Sequence, residues 1–141
     1  MQGEPGPHRT EVRVYYEDTD AGGIVFYANY LKFAERGRTE FLRTIGYDHR
    51  TVARDFGLGF VVRRCEIDYI KPAGLDDLLC VETRVTKVSG ARFSMSQRVL
   101  KNAMILCEVS VDLGCVGASG RPSRLPEALR VKMMDLVHAG L

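Results

Sequence analysis

An α+β fold, a five-stranded antiparallel sheet with one long helix and a short C-terminal helix, is predicted by three features of this sequence. Apolar residues alternate with polar ones in five separate runs, the period of half-buried strands. One stretch, from Asn29 to Gly46, changes to helical spacing. The last four strand-like runs then follow one another through short Gly, Pro and Asn turns, as in an antiparallel meander.

The first ten residues, MQGEPGPHRT, have no apolar run, and Pro5 and Pro7 block regular structure, so residues 1–10 are expected to be a flexible arm and 11–141 a single domain. Val12, Val14 and Tyr16 alternate with Arg13 and Tyr15 as a first strand. In the helical stretch Leu31, Ala34, Arg38, Phe41, Leu42 and Ile45 fall mostly on one face. Asn29 suits an N-cap and Gly46 a C′ position. Gly37 inside it is costly for a helix and so points to close backbone packing. Residues 47–59 are polar and irregular, with a short helical turn expected around Thr51 to Phe56.

Cys65, Ile67 and Tyr69 then alternate with charged residues up to Pro72-Ala73-Gly74. Leu79, Val81, Thr83 and Val85 run to Ser89-Gly90, and Phe93, Met95, Gln97 and Val99 to Asn102-Ala103. Cys107, Val109, Val111, Leu113 and Cys115 form the last strand. Leu129, Met133, Leu136 and Val137 recur at helical spacing, with Pro126 at the first turn. One helix cannot cover both faces of such a sheet, so a second subunit is expected to complete the burial.

The composition bounds the function. A formal net charge of +2 gives no electrostatic reason for a nucleic-acid partner. No apolar stretch reaches the roughly 20 residues that span a bilayer, and no secretory signal opens the chain, so neither membrane insertion nor export is expected. Cys65, Cys80, Cys107 and Cys115 form no C-x-x-C pair and read as buried thiols in a reducing cytoplasm. His8, His49 and His138 are scattered, so no metal site is expected.

The densest chemistry lies in EDTDAGG, Glu17 to Gly23. Read as a calcium loop from Asp18, it has Asp20 at position 3, but Gly22 at position 5 and Asn29 at position 12 cannot supply the oxygens required. Read as a solvated turn, its acids and glycines are ordinary, but the apolar Ile24, Val25, Phe26 and Tyr27 that follow are not. Read as a catalytic loop, it brings a carboxylate beside an apolar wall and a helix N-terminus, whose free N–H groups can hold an oxyanion. No Ser or Cys nucleophile has a suitable His partner elsewhere.

The stretch VRVYYEDTDAGGIVFYANYLKFAERGRTEFL closely resembles the start of hotdog-fold acyl-CoA thioesterases. It is most similar to the YbgC-type branch associated with the Tol–Pal system, within the 4-hydroxybenzoyl-CoA thioesterase superfamily. Asp20 through Tyr30 match the family pattern D-x-x-G-[IV]-V-[FYW]-[YH]-x-x-Y, and Phe60 to Leu79 resemble the family's second strand and turn. The resemblance implies a hotdog fold, a sheet wrapped around one long central helix. It also implies homodimers with composite sites, often assembled further to homotetramers.

The implied activity is hydrolysis of an acyl-CoA thioester, with coenzyme A only as part of the substrate and no other cofactor. By position in the motif, Asp20 matches the nucleophile or general base, and the Tyr27 backbone amide the oxyanion hole. Asp18 is then an accessory acid and Glu17 a solvated one. Tyr27 stands where this branch commonly has histidine, which leaves the backbone role intact. Glu35, in an ERGR run, reads as a salt-bridged helix face. Coenzyme A phosphates require cations. Relatives supply them from the turn that is KVSGAR here, making Lys87 and Arg92 candidates, with Arg63 and Arg64 weaker ones. The alternative is a non-hydrolytic role, binding an acyl carrier protein or serving as an envelope-associated scaffold.

Overall fold

The computed structural model describes residues 7–139. Five strands form one antiparallel sheet: β1 (His8–Arg13), β2 (Gly59–Tyr69), β3 (Leu78–Val88), β4 (Arg92–Lys101) and β5 (Met104–Val116). Three helices accompany them: α1 (Asn29–Thr44), α2 (His49–Phe56) and α3 (Glu127–Ala139). The expected arm divides: residues 1–6 lie outside the described residues, whereas His8, Arg9 and Thr10 belong to β1. There they face Thr83, Glu82 and Val81 of β3.

The strands do not run as a simple meander. Their order is β1-β3-β4-β5-β2, so β2 sits at the far edge against β5, and β1 closes the opposite edge against β3. Consecutive β2 and β3 therefore lie on opposite sides, and residues 70–77 cross the end of the sheet to connect them. The crossing is anchored where it starts, by Ile70 and Lys71 N–H groups donating to the Leu106 carbonyl at 2.9 and 3.1 Å. It is anchored again where it ends, by Val14 N–H donating to the Asp77 carbonyl at 2.9 Å.

Alternation sets two unlike faces. Leu79, Val81, Val85, Phe93, Met95, Val99, Val109, Val111 and Leu113 are buried on the helical side, against Phe33, Ala34, Phe41 and Leu42 of α1 and Leu129 and Met133 of α3. The opposite side carries Arg64, Glu66, Glu82, Arg92, Ser94, Ser96, Arg98, Glu108, Ser110 and Asp112. That face is polar and needs no apolar cover, contrary to the expectation that a second subunit would have to shield it. The uncovered part is elsewhere: α1 packs on β1, β3 and β4, and no residue of β2 is buried.

Helix ends follow local chemistry. Gly46 takes the left-handed C′ position of α1, as expected, with φ 89°. The N-cap is Ala28 rather than Asn29, and Asn29 uses its side chain differently, as described below. The short helical turn expected after α1 is a full helix capped by Asp48, whose carboxylate accepts from Thr51 N–H and Thr51 Oγ1. At the other end Gly57 is left-handed.

Gly37 marks the closest approach of α1 to the sheet. A Cβ there would lie 2.5 Å from Val81 Cγ1 and 3.0 Å from Thr83 Oγ1. Beneath it the buried Gln97 donates to the Ala34 carbonyl at 2.8 Å and to Thr83 Oγ1 at 3.0 Å, and accepts from Arg38 Nη1 at 3.1 Å. Arg38 therefore turns inward on α1, pairing a partly buried guanidinium with an amide. Of the cysteines, Cys107 and Cys115 are buried as expected, and burial pushes the Cys107 thiol up to about 12. Cys65 is exposed and Cys80 half-buried, because β2 lacks a cover and Cys80 faces the polar side.

Gly37→Ala is expected to destabilise the fold by about 1–3 kcal/mol through overpacking against Val81, read as a lower urea midpoint with an unchanged slope.

Candidate active site

The acidic loop connects β1 to α1 and is folded by its own backbone. Asp18 ends a single 3-10 turn, Tyr16–Asp18, and is only 6% exposed. Its carboxylate accepts from Tyr15 N–H at 2.8 Å, while its carbonyl accepts from Phe26 N–H at 2.9 Å and from Asn29 Nδ2 at 2.8 Å. The Asn29 side chain thus ties the first turn of α1 to the loop before it. Thr19 bridges to Val25, closing a tight reversal over 20–24 in which Gly23 has φ 81°, a conformation that favours glycine.

Asp20 sits at the mouth of this reversal. Its N–H donates to the Ile24 carbonyl at 2.8 Å, and its carboxylate accepts from Gly22 N–H at 2.8 Å. The side chain is exposed, so the desolvated setting expected from the neighbouring apolar run is absent in the single chain. Of that run only Val25 is buried; Ile24, Phe26 and Tyr27 face solvent. Glu17 is exposed, as the sequence suggests.

Tyr27 immediately precedes the first turn of α1. The Asn29, Tyr30 and Leu31 N–H groups donate back to Phe26, Tyr27 and Ala28 carbonyls. Among the described residues the Tyr27 N–H itself has no acceptor, the ordinary condition of a helix N-terminus. The Tyr27 ring is 63% exposed and lies edge-on to Tyr69, centroids 5.9 Å apart. A groove of about 340 Å³ opens there, lined by Ile24, Tyr27, Tyr30, Tyr69, Ile70 and Pro72 among others. Asp20 is not among its lining residues.

The 70–77 crossing holds this end in place. Val25 N–H donates to the Ala73 carbonyl at 2.8 Å, Ile24 bridges to Gly74, and Ala73 N–H donates to Tyr30 Oη at 3.1 Å. Burial raises the Tyr30 phenol above its ordinary value. No sequence motif announces this anchoring, because its partners are backbone groups far apart in the chain.

Lys87 and Arg92 do come together, and with both weaker candidates. A cavity of about 390 Å³ is lined by Arg63, Arg64, Lys87 and Arg92, with Ser94 and the Asp112 carboxylate. Register shifts at Val62/Arg64 and Val85/Lys87 assist this, since a bulge re-aims the side chains beside it. The Arg63 stem lies across Gly114, where a Cβ would come within 3.1 Å of it. Arg64 forms an ion pair with Glu66. This basic cavity lies about 17 Å from Tyr69 along β2, taking five residues at strand rise, and shares no lining residue with the Tyr27 groove.

Glu35 is exposed on α1 and makes no ion pair among the described residues. Its charge acts on Arg38 one turn on, and Arg36 lies over the Phe33 ring instead. Glu35 and Arg38 line a smaller cavity, about 60 Å³, with Thr39, His49, Phe60 and Val62.

Residues 22–108 match the family model of the thioesterase superfamily, and the chain belongs to that superfamily. The matched span contains Tyr27 but begins after Asp20. Over nearly its whole length the chain resembles the YbgC branch. It is 50% identical over 126 residues to the acyl-CoA thioesterase YbgC of Haemophilus influenzae, covering 89% of this chain and 93% of that one. It is 39% identical over 123 residues to the acyl-CoA thioester hydrolase YbgC of Escherichia coli, covering 86% and 91%. The fold is shared with a probable thioesterase from Bartonella henselae, at TM-score 0.82 and 41% identity, over 86% of this chain and all of that one.

The two aspartates are expected to separate by stability. Asp18→Ala loses a buried acceptor and should cost about 1–3 kcal/mol, whereas Asp20→Asn, on an exposed carboxylate, should stay within about 0.5 kcal/mol, both read from urea denaturation.

Proposed function

We propose that this chain hydrolyses an acyl-CoA thioester to a free carboxylic acid and coenzyme A, with α1 as the central helix of a hotdog fold. The observation that carries this reading is the Tyr27 N–H, unpaired at the start of α1 and beside an apolar groove. A thioester carbonyl seated there would place its oxygen on that N–H and the helix's positive end. Asp20 either attacks the carbonyl carbon, giving a mixed anhydride that water cleaves, or takes a proton from an attacking water. In both routes the carbonyl electron pair moves to oxygen, returns, and expels the CoA thiolate. Asp18 supports the loop rather than the reaction: its carboxylate is already engaged by Tyr15 N–H.

Lys87 and Arg92, with Arg63, would receive phosphate groups of the coenzyme A portion, as mobile point charges and a guanidinium fork do elsewhere. In a homodimer one subunit's cations would serve its neighbour's groove, and dimers could pair further into tetramers. The chemistry calls for no metal or redox cofactor. No described helix is long and apolar enough to cross a membrane, and a cytoplasmic location suits a coenzyme A substrate.

One observation favours the second reading, a non-hydrolytic acyl-carrier-binding or envelope-associated scaffold: Asp20 does not line the groove of its own chain. A panel of acyl-CoA substrates assayed for free thiol decides between them. Hydrolysis of at least one chain class is expected, with Asp20→Asn lowering kcat by orders of magnitude while the fold is kept. Wild-type turnover in Asp20→Asn removes the aspartate from the mechanism, and an inert wild-type protein across the panel leaves the scaffold reading.

A further inference from the structure

The sheet offers Asp112 an ion pair that it does not make. Asp112 stands on the polar side of β5, directly opposite Arg64 of β2 and Ser94 of β4. Arg64 turns instead to Glu66, two positions along its own strand. The Asp112 carboxylate accepts from Ser94 Oγ at 2.7 Å, and from no cation among the described residues.

The cations around it are equally uncommitted. Arg63, Lys87 and Arg92 line the same cavity, and among the described residues their side chains make neither an ion pair nor a hydrogen bond. With Arg64 they set four positive side chains around one acid, a net charge of +3 on the lining. At about 390 Å³ the cavity falls in the roughly 300–1,000 Å³ range of small-molecule sites and exceeds what one phosphate fills.

An anion site gains from an acid only if the anion also carries a donor. Ser94 engages Oδ1 of the half-buried Asp112 and leaves Oδ2 to accept. Because the acid stands amid the cations, the donor it meets must stand amid the ligand's phosphates. In a nucleoside phosphorylated at both 3′ and 5′ positions, the ribose 2′-hydroxyl is that donor. Acids in dinucleotide-binding folds accept from the same hydroxyl. The base amino group lies at the far end of the nucleoside, away from the phosphates.

We infer that this cavity takes the phosphorylated ribose of the coenzyme, with Asp112 accepting from its 2′-hydroxyl and Arg63, Lys87 and Arg92 on its phosphates. This rests on the coenzyme A reading above and adds to it a residue that recognises the sugar. Cations alone do not distinguish a nucleotide from another polyanion; Asp112 does. An acyl group carried on pantetheine, without the nucleoside, forgoes all of these contacts. The protein therefore favours acyl-CoA over acyl-pantetheine through KM rather than kcat.

The test is calorimetric titration of the full chain with adenosine 3′,5′-bisphosphate and its 2′-deoxy analogue. The first is expected to bind about tenfold more tightly, from one hydrogen bond to a charged acceptor, and that comparison needs no variant. Asp112→Ala should abolish the preference, whereas Lys87→Ala should weaken both probes and keep it, with circular dichroism verifying each fold. Equal binding of the two probes by wild type, or no binding of either, overturns the sugar contact. So does a preference kept in Asp112→Ala, or a tightening of both probes by the same factor, which marks an acid that only repels. Hydrolysis of acyl-CoA with the same KM as acyl-pantetheine, and no inhibition by adenosine 3′,5′-bisphosphate, overturns the site and leaves the reaction standing. A ribose preference that depends on Asp112, in a protein inert towards acyl-CoA, upholds the site and counts against hydrolysis.

Discussion

A loop packed against a helix start must satisfy every backbone polar group it buries, and this constraint organises the functional end of the molecule. The acidic loop meets it with three contacts to Asp18, whose carboxylate and carbonyl together accept from Tyr15, Phe26 and Asn29. The crossing segment meets it from the other side, through Ala73 and Gly74. Among the described residues the N–H groups of Tyr27 and Ala28 are left without an acceptor, as befits the start of a helix. An N-terminus fixed this firmly presents its donor without having to reorganise, which is the condition under which such a donor stabilises developing charge.

Much of this architecture was legible in the sequence because the relevant signals are local. Alternation located β3, β4 and β5, helical spacing located α1, and Gly37 announced a close approach that Val81 and Thr83 explain. Non-local facts were not legible. Nothing in Cys65-Glu66-Ile67 says that β2 pairs with β5 rather than β3, since alternation records which face a residue takes and not which neighbour it has. Hence Cys65, whose neighbours alternate like a buried strand, lies exposed at an uncovered edge. The expectation that the far face needed a partner failed for a related reason. Counting helices measures available cover, but the demand for cover depends on the side chains, and Ser94, Ser96, Ser110 and Asp112 make none.

At the site the sequence distinguished the loop but not the division of work within it. Asp18 and Asp20 are two residues apart and chemically identical, and what separates them is burial and the identity of their hydrogen-bond partners. Lys87 and Arg92 could be picked from one turn, yet their meeting with Arg63 and Arg64 depends on bulges in two strands that no local pattern specifies.

The exposure of Asp20 and Tyr27 bears on how the proposed chemistry would work. A backbone N–H in open water contributes little to an oxyanion, because solvent offers equivalent donors and screens the helix dipole. The same water solvates the carboxylate and weakens it as a nucleophile or base. Ile24, Phe26 and Tyr27, all outward and apolar, supply a surface from which water can be removed once something covers it. An acyl chain laid along the groove beside Tyr27 would cover part of that surface. Desolvation would then come from the ligand itself, while the N–H at the start of α1 is held in place beforehand by the loop and the crossing segment.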